Sequence, residues 1–208
     1  MNLLELNPRK VLCLGAHSDD IEIGCGGTLL RLAEAGNLEV YWVVFSSGPV
    51  RAEEARRSAA RFLEGVPHTV RVLEFRDAFF PAQWAEIKET FRQIASQFAP
   101  DLLFTHARED RHQDHRVISD LTWNAWRDHL ILEYEIPKWD GDLGTPNVYV
   151  RLEEHHVRRK IEILLEAFPS QRGKHWFDEE TFGALLRLRG LEAATRYAEA
   201  FYGRKVVV

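Results

Sequence analysis

Cysteine is nearly absent from this chain. Cys13 and Cys25 are the only two in 208 residues and both fall in one amino-terminal apolar region, so there is no spaced disulfide framework and both read as buried free thiols. Long apolar runs are lacking as well. None approaches the roughly 18 residues that a membrane helix needs, and the opening MNLLELNPRK has its basic residues after a short apolar patch, the reverse of a secretory signal. A cytoplasmic protein without a transmembrane segment is expected. The third absence is an excess of positive charge: 27 basic against 32 acidic residues leave a formal charge of -5, which offers a phosphate backbone or an anionic lipid surface no general attraction. Nucleic acid is therefore not an expected partner. Repeats and low-complexity tracts are missing too, and 45% hydrophobic with 28% charged residues describes a globular protein rather than a disordered or fibrous one. The length suits a single domain over residues 1–208, with homo-oligomerisation left open.

What is present is an alternation of strand and helix patterns. Val11 to Gly15 is a short apolar run without polar alternation, as in a strand buried on both faces. A polar loop, AHSDD, and a glycine cluster, Gly24, Gly26 and Gly27, follow it, and TLLRLAEAG then reads as a helix closed by Gly36. Val40 to Phe45 is β-branched and aromatic, residues 51–64 form a charged helix, and Thr69 to Leu73 a third strand. An amphipathic helix over 84–98 precedes a fourth strand, Leu102 to Thr105, and a helix around Val117 to Ala125. The segment Tyr134 to Asn147 reads as a long loop, 153–167 and 178–200 as helices, and Lys205 to Val208 as a last strand. The rhythm predicts a Rossmann-like three-layer α/β sandwich with a mainly parallel central sheet.

Two polar clusters fall at the carboxyl ends of strands, where ligands bind in open parallel sheets. The first is His17-Ser18-Asp19-Asp20 and the second His112-Gln113-Asp114-His115. The three-residue spacing of His112 and His115 puts them on one face of a helical turn. A catalytic zinc takes three protein ligands, commonly imidazoles and a carboxylate, and keeps one position open for water; His17, Asp20 and His115 meet that description. Asp19, beside a ligand, is the candidate general base. His112 is placed by type to stabilise an oxyanion and protonate a leaving amine, and Asp114 to orient an imidazole. Arg51 and Glu54 follow the second strand and Arg108 flanks the second cluster, so these three are candidates for holding substrate.

AHSDDIEIGCGGTL followed about a hundred residues later by HQDHR resembles the LmbE-like, or PIG-L, family of metal-dependent de-N-acetylases. Members typically carry AHPDD and HxDH. The resemblance implies zinc on His17, Asp20 and His115, Asp19 as base, and His112 at the tetrahedral intermediate. It also implies hydrolysis of the acetamide of an N-acetylated amino sugar such as an N-acetylglucosamine conjugate. Ser18 stands where the family has proline, which loosens a backbone restraint and removes no reactive group. The similarity covers about the first 125 residues, and the YAEAF of Tyr197 to Phe201 resembles a segment near the end of many members.

The same residues admit other readings. The aspartates alone would serve as helix caps, and the second cluster as a solvated loop. A dinucleotide loop is excluded because GCGGTL has no G-x-G-x-x-G. A metal-dependent phosphoester hydrolase would use the same zinc with the arginines, and a non-catalytic metal- or sugar-binding protein would keep the ligands alone. Among the remaining histidines only His106, at the end of its strand, stands apart. Trp139 and Trp176 read as core residues rather than as a sugar platform.

Overall fold

The computed structural model describes residues 8–206. Its central strand, β1 (Lys10–Gly15), sends Val11 and Cys13 into one core and Leu12 and Leu14 into another, because successive strand side chains point to opposite faces and both faces are covered. The chain then runs α1 (Asp20–Ala35), β2 (Glu39–Val44), α2 (Pro49–Phe62), β3 (His68–Val72), α3 (Trp84–Gln97), β4 (Leu102–His106) and α4 (Gln113–Ala125). It continues through β5 (Leu130–Tyr134), β6 (Val148–Leu152), α5 (Glu154–Ala167), α6 (Glu179–Glu192) and β7 (Tyr197–Gly203).

The seven strands lie in the order β3-β2-β1-β4-β5-β7-β6. The first five are parallel, and β7 runs antiparallel to both β5 and β6. Helices α1, α2, α5 and α6 supply the core on one face, and α3 and α4 that on the other, which makes the expected three-layer α/β sandwich with a mostly parallel sheet. From β1 the chain builds outward to β3, then crosses to β4 on the other side of β1. The strand order therefore reverses between β1 and β4, and the crevice at such a switch point is where α/β sheets hold ligands. Cys13 and Cys25 are buried free thiols.

Three expectations are corrected. The glycine cluster is no loop: α1 starts at Asp20 and carries all three glycines inside it. Glycine costs a helix about 1 kcal/mol relative to alanine, but here it permits close contact, since a Cβ on Gly24 would lie 2.3 Å from the Tyr134 ring and one on Gly27 2.5 Å from Leu152 Cδ1. The pattern over 178–200 is not one helix. It stops at Glu192, Ala194 takes a left-handed φ of 51°, and YAEAF enters the sheet as β7. Alanine and glutamate favour helix, but the alternative here is a strand paired on both edges. Residues 205–206 consequently form no strand, and 207–208 lie outside the described residues, as does most of MNLLELNPRK. Strands β5 and β6, which flank the long loop, had no separate sequence signal.

The strand β7 also supplies a buried charge. Glu199 accepts hydrogen bonds from Gly27 N (2.7 Å), Thr28 N (2.6 Å) and Thr28 Oγ1 (2.6 Å), all on α1. Lys160 on α5 reaches the same carboxylate at 2.7 Å and the Ile23 carbonyl at 2.6 Å. Two buried charges thus tie α1, α5 and β7 together. Removing one partner of such a pair costs roughly 3–5 kcal/mol, so Lys160→Met is expected to lower the unfolding free energy by about that amount in urea titration. A loss well under 1 kcal/mol would show that α1 is held by packing alone.

Candidate metal centre and catalytic cleft

Beyond β1 the chain folds back over its own carboxylate. The His17 N–H donates to Asp20 Oδ2 at 2.7 Å and the Asp19 N–H to the His17 carbonyl at 3.1 Å, so Asp19 becomes the N-cap position of α1 and Asp20 its first residue. Ser18 Oγ donates to Ser47 Oγ at 2.7 Å. After β4 the second cluster does not remain a loop. His112 is the N-cap of α4, its ring nitrogen Nδ1 accepting the Asp114 N–H at 3.2 Å, and His115 sits in the first turn. The two rings stack, with centroids 4.5 Å apart, as their spacing predicts.

Three atoms converge where the two helix starts meet. His17 Nδ1 lies 3.2 Å from His115 Nε2 and 3.5 Å from Asp20 Oδ2, and His115 Nε2 lies 3.7 Å from Asp20 Oδ2. The far nitrogens show which atoms are protonated. His17 Nε2 faces Asp77 Oδ1 at 3.0 Å and Asp114 Oδ2 at 3.4 Å, while His115 Nδ1 faces Asp110 Oδ2 at 2.9 Å. Each carboxylate holds an N–H on the outer side, so the two inner nitrogens face each other across a hydrogen bond whose one proton a cation would replace. The Nε2 of buried His106 lies 3.0 Å from Ala16 N and 3.2 Å from Asp20 Oδ2, bracing the same turn.

Residues 12–126 match the family described as PIG-L, GlcNAc-PI de-N-acetylase. Over 176 residues the chain is 31% identical to YaiS of Escherichia coli K12, an uncharacterized deacetylase, covering 78% of this chain and 92% of that one. The chain belongs to the PIG-L family. Solved structures agree on the fold. The N,N'-diacetylchitobiose deacetylase of Pyrococcus horikoshii superposes with a TM-score of 0.70 at 21% identity, over 93% of this chain and 83% of that one. GalB, the 4-carboxy-2-hydroxymuconate hydratase of Pseudomonas putida KT2440, gives 0.73 at 16% identity, over 96% and 97%. A deacetylase and a hydratase share this architecture, so the reaction has to be argued from the site.

In this PIG-L chain the cleft above the three atoms has a volume of about 590 Å³, with His17, Asp19, Asp20, Arg51, His112 and His115 in its wall. Arg51 is at the cleft as expected, bound to Asp19 Oδ1 at 2.9 Å and to the Ser18 carbonyl at 2.7 Å. Glu54 and Arg108 are not. The Glu54 carboxylate is buried and takes Ser170 N at 2.8 Å and Ser170 Oγ at 2.5 Å, because three residues along α2 the side chain faces the 169–171 turn rather than the end of β2. Arg108 lies over the Trp123 ring at 4.9 Å and is 3.9 Å from Glu133. Asp114 orients His17, not its neighbour His115, and accepts Ala78 N (2.7 Å) and Phe80 N (3.1 Å) as well. That grip holds Ala78 in the left-handed region, φ 65°, and sets Asp77 beside His17. Asp77 and Asp110 escaped the sequence reading. Asp110 carried a signal, lying two residues before His112, whereas Asp77 is brought in only by the chain after β3.

The charges around the three atoms are strongly perturbed. Burial alone would lower the His17 pKa, but Asp114, Asp20 and Asp77 overcome it and raise it well above the usual value. Burial brings His115 down to about 3, with His106 adding to the effect, so this ring is neutral. Asp20 is held well below the usual range by His115, His106 and His17 in spite of its burial. Burial pushes Asp19 up to about 6, against the pull of Arg51. His17 therefore carries an extra proton near neutral pH that a cation must displace. About one proton should be released per metal bound, and affinity should fall about tenfold per pH unit below the His17 pKa. Calorimetry in buffers of different ionisation enthalpy reads this, and zero release at pH 7 would contradict it. Asp110→Asn is expected to weaken metal binding 10- to 100-fold in a competition titration with a chelator.

Proposed function

We propose that this chain is a metal-dependent de-N-acetylase of N-acetylated amino sugars, with zinc held by His17, Asp20 and His115. The observation that carries the reading is the triangle of His17 Nδ1, His115 Nε2 and Asp20 Oδ2, with edges of 3.2, 3.5 and 3.7 Å. Tetrahedral ligands at the ordinary zinc–nitrogen and zinc–oxygen distances lie about 3.3 Å from one another, so the donor set fits one such ion. When bound, a divalent cation supplies Lewis acidity toward the amide carbonyl and toward water.

The remaining chemistry belongs to the side chains. Asp19, unprotonated above about pH 6, takes the proton of the attacking water, and Arg51 fixes the carboxylate through its Oδ1. Because His112 Nδ1 accepts the Asp114 N–H, the neutral ring has its proton on Nε2. Burial lowers the His112 pKa and the neighbouring His17 charge adds to this, which favours that neutral form. The Nε2–H is thus the donor available to the developing oxyanion, and the proton that Asp19 takes from water goes to the departing amine, which returns Asp19 to its carboxylate. The balance is water plus acetamide to acetate plus free amine.

A phosphoester hydrolase is less well served. It needs unpaired arginines, yet Arg51 is engaged by Asp19 and Arg108 lies away from the cleft. The second acidic group around His17, made of Asp77 and Asp114, meets the ring's N–H rather than a lone pair. The test is amine release from N-acetylglucosamine conjugates by metal-stripped protein with and without zinc. Zinc-dependent release is expected. Asp19→Ala should retain zinc while turnover drops at least about a hundredfold; near-normal turnover would remove Asp19 from the mechanism, and absence of bound zinc in the parent protein would sink the whole reading.

A further inference from the structure

Trp139 and Trp176 read as core residues in the sequence; Trp176 is partly buried against the core, and Trp139 is not part of it. Trp139 is 79% exposed, more than any other large hydrophobic side chain among the described residues. It stands with Trp176 and His175 in the wall of the same cleft that holds His17, Asp20 and His115. The indole comes from the loop between β5 and β6, the imidazole from the loop before α6, and their rings meet at 4.8 Å across the mouth.

The Trp139 loop is anchored. Lys138, directly before the indole, bonds Asp110 Oδ2 at 2.9 Å and Asp142 Oδ2 at 2.5 Å, so the tryptophan is presented from a pinned segment. The same bonds decide the charge of the ligand. Lys138 and Arg51, two cations of the cleft, are engaged by Asp110, Asp142 and Asp19, while Asp77 and Asp140 add negative charge to the wall. Among the lysines and arginines of that wall, only Lys174 stands outside these carboxylate pairs to meet an anionic group. A hydrocarbon chain would cover Asp140 and Lys174 of the wall and cut them off from water. A pyranose ring has one apolar C–H face for an indole and hydroxyls around its edge for those polar groups.

We propose that the outer end of the cleft is a binding subsite for a second, neutral sugar ring attached to the N-acetylated one, with Trp139 as its stacking surface. This rests on the de-N-acetylase reading for the inner end. It makes the preferred substrate a disaccharide or longer glycoside rather than a free N-acetylhexosamine, and the volume of about 590 Å³ lies within the range of sites that enclose ligands of that size.

The experiment compares N-acetylglucosamine with N,N'-diacetylchitobiose in the parent protein, Trp139→Ala and Trp139→Phe. The zinc-loaded parent should favour the disaccharide in kcat/KM by tenfold or more. In Trp139→Ala that preference should shrink about tenfold through KM, and Trp139→Phe should restore most of it. Binding of the disaccharide to metal-free protein is followed in parallel by tryptophan fluorescence and by indole N–H shifts in NMR spectra. Equal kcat/KM for the two sugars in the parent, or a preference unchanged in Trp139→Ala, overturns the subsite while leaving the deacetylase standing. Trp139-dependent disaccharide binding without turnover of either sugar would keep the subsite and defeat the deacetylase.

Discussion

Two imidazole nitrogens and a carboxylate oxygen, all turned inward, lie 3.2 to 3.7 Å apart. Such an arrangement is repulsive unless a proton or a metal ion lies among them, and much of the surrounding structure serves to maintain it. The raised His17 pKa is the same fact seen in the absence of an ion. Asp20 can be a ligand only because the backbone turns back onto it, and His115 only because Asp110 takes its outer proton. The inner atoms are few, but the groups that orient them come from the loop after β3, the β4–α4 loop, His106 at the end of β4, and the loop after β5.

The support extends outward in connected steps. Asp110 is shared between His115 and Lys138, and Lys138 also bonds Asp142, so the orientation of a ligand and the anchoring of the outer loop depend on one carboxylate. Asp114 couples His17 to the backbone of Ala78 and Phe80. On the far side, Glu199 and Lys160 fix the middle of α1, whose first residue is Asp20. A helix bearing Gly24, Gly26 and Gly27 has weak intrinsic preference for its form; its position comes from what the glycines allow to approach.

The same architecture in a deacetylase and a hydratase shows that sheet order places a crevice without choosing its reaction. On the proposed reading, the choice in this chain falls to Asp19, beside Asp20, and to the imidazole at the α4 N-cap. Asp19 is pushed by burial toward the range where a carboxylate works as a base near neutrality. His112 is fixed in one tautomer by a single backbone N–H. Neither property follows from residue type alone, since an exposed aspartate or a freely rotating histidine would have neither.

The sequence by itself determined the alternating β and α units, the parallel core strands and the two polar clusters at strand ends, because apolar runs and reactive side chains are local features. It also carried the spacing that stacks His112 on His115. The tertiary structure alone decided which carboxylate serves which imidazole: the start of α4 turns Asp114 toward His17 and leaves Asp110 for His115. It decided that Glu54 caps a distant turn, that YAEAF is a strand rather than a helix, and that Trp139 faces solvent at the cleft. In each case the deciding partner lies far along the chain, as Ser170 does for Glu54 and β5 and β6 do for β7. Local propensity cannot report a contact that exists only after the sheet has formed.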